Sequence, residues 1–193
     1  MIHQPLINHL ESYLPLGEAE KSLLMEKFVN RKVKRKHTIL QQGTVCHQYT
    51  FVVEGCFRMY SIDMKGVERN IQFTAENDWI TDIGSFHSGK PSKLFIESIE
   101  PSTILQVEKQ DLIFFYRNIP SFNHIFRVII EDKFVELQNQ VLENISSTAQ
   151  ERYTTFLEQY SELALRLPSL QIASYLGITP EFLSKIRKDL MKK

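Results

Sequence analysis

The spacing of hydrophobic positions divides the chain into a helical start, a β-rich middle and a helical end. Apolar side chains recur at helical spacing in residues 1–30, with a break at Gly17. Residues 37–110 contain short runs rich in Val, Ile, Phe, Tyr and Thr, which predict strands over 49–53, 56–62, 67–73 and 92–99. Asp63-Met64-Lys65-Gly66 predicts a hairpin between two of them. Many short strands with no helical stretch between them favour a β sandwich, roll or barrel.

Residues 111–146 return to a helical pattern, with a start signal at Pro120-Ser121. Beyond it, apolar residues recur every three or four positions and form one stripe about five turns long. These positions are Phe126, Ile130, Phe134, Leu137, Val141 and Ile145. Such a stripe can pack on the β domain of its own chain or form a coiled-coil seam with a second copy, and the pattern leaves both open.

The segment from Leu170 to Arg187 fits a helix-turn-helix. A short helix over 169–176 ends at Gly177, which allows the positive φ of a tight turn. Thr179 then suits the N-cap of the last helix, and Pro180 suits its first position. The outward side of that helix is polar and would fit the major groove of DNA. Its residues are Glu181, Ser184, Lys185 and Lys188.

Composition supports a folded protein with a local basic end. The 193 residues have a formal net charge of zero and are 42% hydrophobic, which argues against disorder. Residues 168–193 nevertheless carry five basic and two acidic side chains, as expected for a confined anionic contact. We find no apolar run long enough to span a membrane and no export signal, so we expect a cytoplasmic protein whose Cys46 and Cys56 are free thiols.

A second basic run, residues 31–36, holds five cations in six positions. We interpret it as a solvated edge or connector before the first strand rather than as a nucleic-acid contact.

The sequence contains no complete catalytic or metal-binding motif, so we expect no enzyme, no metal site and no resident cofactor. The stretch Gly84-Ser85-Phe86-His87-Ser88-Gly89-Lys90 is similar to a phosphate-binding P-loop, but Pro91 follows where a magnesium-binding hydroxyl is required. Its flanks are expected to be strands rather than parts of a βαβ unit. The six histidines are scattered, which excludes the clustered ligands of a cupin-type metal site.

The β-rich first part, the long helix and the helix-turn-helix together resemble the Crp/Fnr family of bacterial transcription regulators, over nearly the whole chain. The stretch Ile172-Ala173-Ser174-Tyr175-Leu176-Gly177-Ile178-Thr179-Pro180-Glu181 is similar to Bacteroidetes-type members. The resemblance implies a cyclic-nucleotide-binding-type β-roll, a homodimer through the long helix, and double-stranded DNA and RNA polymerase as partners. It assigns Glu181 and Lys185 to base edges and Thr179 and Lys188 to phosphates. A family arginine before the base-reading glutamate is Pro180 here, so the family's usual half-site does not carry over.

The ligand cassette implied by the resemblance departs from the family pattern for cyclic AMP. The chain has Asp82, Ile83 and Gly84 where the family has Glu-Leu-Gly, and Ser92-Lys93 where the family has Arg-Ser. Ser92 cannot neutralise a cyclic phosphate as the family arginine does. Leu137 and Gln138 fall where the family contacts the adenine. We therefore expect an unknown small-molecule effector, or none, in preference to a cyclic nucleotide.

The predicted fold is α+β: an antiparallel β-roll with flanking helices over 1–120, a dimerisation helix over 121–146 and a helix-turn-helix domain over 147–193. The wing of that domain is expected to be short or missing, which would leave DNA contacts to the last helix and Lys192-Lys193. The predicted dimer interface comprises Phe126, Ile130, Phe134, Leu137 and Val141. We predict a homodimeric DNA-binding regulator; the alternative is a ligand-binding or protein-interaction module of the same fold without DNA binding.

Overall fold

A computed structural model describes residues 2–191 of the chain. Lys192 and Lys193, which we expect to support DNA contacts, lie outside the described residues. The described part contains the following helices: α1 (Gln4–Glu11), α2 (Glu18–Lys27), α3 (Ile83–Ser88), α4 (Lys109–Asn118), α5 (Pro120–Ser146), α6 (Ala149–Gln159), α7 (Ser161–Arg166), α8 (Ser169–Tyr175) and α9 (Pro180–Leu190). The strands are β1 (Val29–Val33), β2 (Thr38–Leu40), β3 (Gln48–Glu54), β4 (Phe57–Ile62), β5 (Glu68–Thr74), β6 (Trp79–Ile80), β7 (Phe95–Ser98) and β8 (Ser102–Glu108).

The strands form two four-stranded sheets with the crossed order of a β-roll. One sheet has the order β1-β8-β3-β6 and the other β2-β7-β4-β5. Strands β3 and β8 pair antiparallel from Gln48 opposite Glu108 to Val52 opposite Ile104. β8 is buried on both faces over six residues, so it forms the centre of its sheet. The α+β fold with an antiparallel roll is therefore confirmed.

The chain consists of two compact units, each assembled from two separate segments. Unit 1 comprises Met1–Tyr60 and Phe73–Glu131, and unit 2 comprises Ser61–Gln72 and Asp132–Lys193. The predicted boundaries at residues 120 and 146 stay a prediction.

Unit 1 is held by an aromatic core centred on Trp79. The Trp79 ring lies 5.0 Å from Phe51 and 5.1 Å from Phe126, both in edge-to-face geometry. Its indole N–H donates to Nε2 of His9 at 3.1 Å, which satisfies the one polar group of the side chain. Phe115 and Phe122 extend this core with ring centroids 4.8 Å apart.

Two local expectations need correction. The basic run of residues 31–36 starts inside the first strand and not before it, because β1 pairs with β8 over five residues through its backbone. The P-loop-like stretch lies largely in the short helix α3, which is capped by Asp82, so the expectation that no helix lies among the strands is wrong. Its flanks, β6 and β7, are strands as expected.

The hairpin predicted at Asp63–Gly66 is present in unit 2. The Asp63 carboxylate accepts the backbone N–H groups of Lys65 and Val67 at 2.9 and 3.0 Å. These bonds hold the pKa of Asp63 below its ordinary value. Within the described residues, no helix has both the length and the apolar character needed to cross a bilayer.

Candidate nucleic-acid interface and ligand cavity

The corner of the helix-turn-helix is closed by backbone hydrogen bonds. Gly177 has a φ of 68°, and its N–H donates to the carbonyl of Ser174. The N–H of Ile178 donates to the carbonyl of Ala173 at 3.0 Å. Such bonds are typical of a helix that ends at a left-handed residue. The corner therefore fixes where α9 begins relative to α8.

Helix α9 starts with a side-chain cap and packs on its apolar side. The Thr179 hydroxyl accepts the N–H of Phe182 at 3.2 Å, and Pro180 occupies the first turn. Leu183 and Ile186 are buried. The predicted cap at Thr179 is therefore present in the structure.

The opposite side of α9 is exposed along its first two turns. Glu181, Ser184, Lys185 and Lys188 are all exposed and are spaced one to four residues apart on the polar side of the helix. The Glu181 carboxylate accepts from its own backbone N–H and from the Thr179 hydroxyl, and these bonds lower its pKa. Glu181 is therefore ionised at neutral pH. The face as a whole carries two lysines and one carboxylate.

Arg187 does not share this face, although the sequence shows it next to Lys188. Its Nε donates to the Tyr153 hydroxyl at 2.9 Å, and its Nη1 donates to the Ser169 hydroxyl at 2.7 Å. These contacts join α9 to α6 and to the start of α8. Sequence reasoning missed this role because the three residues are far apart along the chain.

Residues 61–72, the part of the β4–β5 hairpin that belongs to unit 2, bind the first helix of the helix-turn-helix. The Asn70 side chain donates to the backbone carbonyl of Gln171 at 3.0 Å and to its side-chain oxygen at 2.6 Å. The Asn70 N–H donates to the Ser174 hydroxyl, which in turn donates to the Glu68 carbonyl. The side chains of α8 thus satisfy backbone groups of β5. No local sequence signal could have identified a contact spanning about a hundred residues.

The cassette residues Asp82 and Ser92 are hydrogen-bonded to each other. The Ser92 hydroxyl donates to Oδ2 of Asp82 at 2.6 Å, and Oδ1 of Asp82 accepts the N–H of Ser85 as the cap of α3. Ser92 is 3% exposed. Both predicted ligand groups are thus engaged within the protein. Lys93, Ile83 and Gly84 are exposed.

A cavity of about 380 Å³ is lined by residues of the β-roll of unit 1. It adjoins the cassette, because the Ser92 N–H donates to the carbonyl of the lining residue Thr44 and the Cys46 N–H donates to the Ser85 hydroxyl. Polar groups at this cavity include Thr50 and Gln106, which are buried and hydrogen-bonded to each other, and Glu108, which accepts from Gln48. The remaining lining residues are Ile39, Leu40, Thr44, Val45, Cys46, His47, Ile80 and Ile96. Among the described residues, no lysine or arginine lines it, so the cavity offers no permanent cation to a phosphate. Sequence reasoning missed this cavity; the signal was Thr50 and Gln106 within otherwise apolar strands.

The apolar stripe of α5 changes from buried to exposed along its length. Phe126 is 1% exposed in the core of unit 1, and Ile130 is half-buried against that core. Phe126 is therefore packed within unit 1, and the predicted dimer interface stays a prediction. From Phe134 onward the stripe is open: Phe134 is 59%, Leu137 51% and Val141 50% exposed. Gln138 is also exposed.

Metal-binding groups are absent from the described part of the chain: no three His, Cys, Asp or Glu side chains come together there. Cys46 and Cys56 are both buried free thiols.

Comparison with known proteins identifies the fold. Residues 30–118 match the family model of the cyclic nucleotide-binding domain. FixK2 from Bradyrhizobium japonicum is similar in structure, with a TM-score of 0.75 and 20% identity, covering 86% of this chain and 85% of that protein. A CooA variant from Carboxydothermus hydrogenoformans has a TM-score of 0.73 and 20% identity, covering 91% and 81%. No curated protein matches the chain.

A third structure connects the fold with the family suggested by the sequence. It is a protein from Eubacterium rectale described as a transcriptional regulator of the Crp/Fnr family, with a TM-score of 0.71 and 16% identity, covering 95% of this chain and 88% of that protein. The fold that the resemblance to the Crp/Fnr family implied is therefore confirmed, and residues 30–118 match the cyclic nucleotide-binding domain. The likeness to Bacteroidetes-type members stays a prediction.

Proposed function

Because the chain has the fold of Crp/Fnr regulators and residues 30–118 match the cyclic nucleotide-binding domain, we propose that it is a homodimeric DNA-binding transcriptional regulator. The family consists of regulators and not of enzymes. The observation that supports DNA binding most directly is the exposed polar face of α9, presented by a corner with a hydrogen-bonded backbone. We place its action in the cytoplasm, with RNA polymerase as a partner once it is bound to DNA.

The exposed face divides into two kinds of contact. Glu181 and Lys185 are assigned to base edges, where a carboxylate accepts from cytosine and a lysine donates to guanine. Thr179 and Lys188 are assigned to phosphates, and the positive end of the helix dipole supports the contact at Thr179. Ser184 lies between them and is available to either.

Selection of bound duplexes from a random pool tests this function. We expect a two-fold symmetric site, bound with strong salt dependence. Lys185→Ala should lose about 1–3 kcal/mol of discrimination at one position of each half-site. Lys65→Ala is the control, since Lys65 is an exposed lysine of the hairpin and not of α9. Absence of any selected site would favour the alternative module without DNA binding.

Dimerisation is assigned to the open part of the α5 stripe. Ile130, Phe134, Leu137 and Val141 are separated by four, three and four residues, the spacing of a coiled-coil seam. Because three of them are at least half exposed in the single chain, a second copy would bury them. The pair would set the two recognition helices about 34 Å apart, one turn of DNA.

The sensor domain is proposed to bind a small molecule other than a cyclic nucleotide. The supporting observations are the Asp82–Ser92 hydrogen bond, which occupies the cassette, and the lack of a lysine or arginine among the described residues around the 380 Å³ cavity. A volume of this size suits a small organic ligand. With Glu108 as its charged lining residue, the cavity favours a neutral or cationic molecule over an anion.

Calorimetric titration with cyclic AMP tests that assignment. We expect no heat of binding at ligand concentrations up to about 1 mM, which corresponds to less than about 4 kcal/mol of affinity. The Ser92→Ala variant, which removes the hydrogen bond to Oδ2 of Asp82, should behave in the same way because it adds no cation. Micromolar binding to the wild-type protein would show that the cassette accepts the phosphate after all.

A further inference from the structure

A strongly basic surface lies at the edge strand of unit 1, outside the helix-turn-helix segment. We define the basic edge as Arg31, Lys32, Lys34, Arg35 and Lys36. All five are exposed. No acidic residue occurs between Glu26 and Glu54 in the sequence. The residues opposite β1 on β8 at this point are Ile104, Thr103 and Ser102, which are uncharged.

None of the five cations forms an ion pair with a carboxylate within residues 2–191. Other cations of the chain do so: Lys21 with Glu11, Arg58 with Glu97 and Lys133 with Glu136. Arg31 instead donates to Nε2 of His37 at 2.9 Å. Among the residues that the structure describes, no carboxylate therefore lies within ion-pair distance of the basic edge.

The turn that carries Lys34 to Lys36 is held rigidly by Ser98. Ser98 is fully buried, its hydroxyl donates to the Lys34 carbonyl, and its own carbonyl accepts the Lys36 N–H at 2.8 Å. The N–H of Ser98 donates to the carbonyl of His37 at 3.0 Å. A rigid turn loses little conformational freedom when its side chains bind a partner.

Lys36 has a backbone conformation that lysine seldom adopts. Its φ is 60°, in the left-handed region where glycine or asparagine is the usual residue. Within the described residues only Lys36 and Asn77 among non-glycines have positive φ. A lysine thus occupies a position where glycine would have less backbone strain. Strained backbone conformations are often retained at positions where the side chain has a function.

We propose that the basic edge is a second nucleic-acid contact, which binds the phosphates of duplex DNA in addition to the recognition helix. The inference rests on the proposed function for the choice of DNA as the polyanion. It replaces our interpretation of the run as a plain solvated edge. Lysines on an edge strand also prevent the edge-to-edge pairing of sheets between molecules. Because charge of either sign serves that purpose, it does not explain why all five charges of the basic edge are positive.

The test compares two triple variants with the same change in net charge. Lys32→Glu/Lys34→Glu/Arg35→Glu reverses the charge of three side chains of the basic edge and keeps these positions charged. Lys65→Glu/Lys90→Glu/Arg117→Glu reverses three exposed cations elsewhere and is the matched control. Each full-length protein is titrated, over a range of salt, with a duplex of about 40 base pairs that carries the selected site.

Each phosphate contact contributes about 0.9 to the slope of log affinity against log salt. The basic-edge variant should reduce this slope by about two to three, and the control triple by less than about one. Equal slopes for the two triples would overturn the proposal. So would an unchanged DNA slope together with lost binding to phosphatidylserine vesicles, since the surface would then be a lipid contact.

Lys36→Gly gives a second, independent readout without reversing charge. It removes one cation and the left-handed strain together, so the protein should melt about 2 °C higher while the salt slope falls by about one. An unchanged slope in this variant would contradict a phosphate contact at Lys36. If the wild-type protein selected no site at all, the proposed function would fail, while the slopes on a random duplex would still test the basic edge.

Discussion

Gly177 is the residue on which the presentation of α9 depends most directly. Its φ of 68° lies in a region that costs an L-residue about 1–2 kcal/mol, and a Cβ there would meet nothing within 4 Å. The cost of a substitution is therefore conformational and not steric. Alanine also lowers the conformational entropy of the unfolded chain, which offsets part of this cost. Gly177→Ala should therefore destabilise unit 2 by about 1 kcal/mol.

Denaturant unfolding with hydrogen exchange at the Ile178 amide measures this effect. Gly177→Asn should cost less, since asparagine tolerates the left-handed region better than alanine. Gly43→Ala is a matched control: Gly43 has a φ of 87° and equally open surroundings but lies in unit 1. Faster exchange at Ile178 in the Gly43 variant would show that the effect does not depend on the corner.

At the scale of elements, residues 61–72 of the β4–β5 hairpin and helix α8 are joined by hydrogen bonds within unit 2. Asn70 is 7% exposed and donates two hydrogen bonds to Gln171, so its replacement by alanine removes both bonds. Asn70→Ala should cost about 1–3 kcal/mol. Asn70→Asp, which keeps the size but cannot donate, should cost a similar amount.

Hydrogen exchange of the α8 amides checks this prediction. Both variants should speed exchange in α8, whereas Lys65→Ala at the exposed tip of the hairpin should not. Protection of α8 that is equal in all variants would mean that the hairpin does not contribute to holding the helix. The same measurement in the presence of DNA shows whether binding depends on these bonds.

The elements that the sequence predicts well are those with local signals. The helix-turn-helix follows from Gly177, Thr179 and the spacing of Leu183 and Ile186, all within one short segment. Strand β1 was missed because its side chains are almost all exposed and it is held by backbone pairing to β8. The contact of Asn70 with Gln171 and the cavity beside Thr50 and Gln106 depend on residues far apart in sequence, which pattern alone does not bring together.

At the scale of the whole molecule, the protein is proposed to act as a dimer. The apolar stripe of α5 from Phe134 onward is exposed in a single chain and would be buried by a second copy. Phe126 shows why the seam could not be bounded from the sequence: it has the same helical spacing as Leu137 but is buried among Trp79 and Phe122. The first half of the regular stripe packs within unit 1, and the second half is exposed. The half that begins at Phe134 is therefore the half to test.

Leu137→Glu should abolish the dimer, because a carboxylate at the centre of the seam would have to be buried without a partner. Light scattering should give the mass of one chain, and affinity for a two-fold symmetric site should fall by at least about a hundredfold as the second half-site contact is lost. Glu136→Gln is the control, since Glu136 is exposed and pairs with Lys133 rather than belonging to the apolar stripe. A dimer mass retained by Leu137→Glu would remove α5 from the interface and leave the spacing of the two recognition helices to another surface.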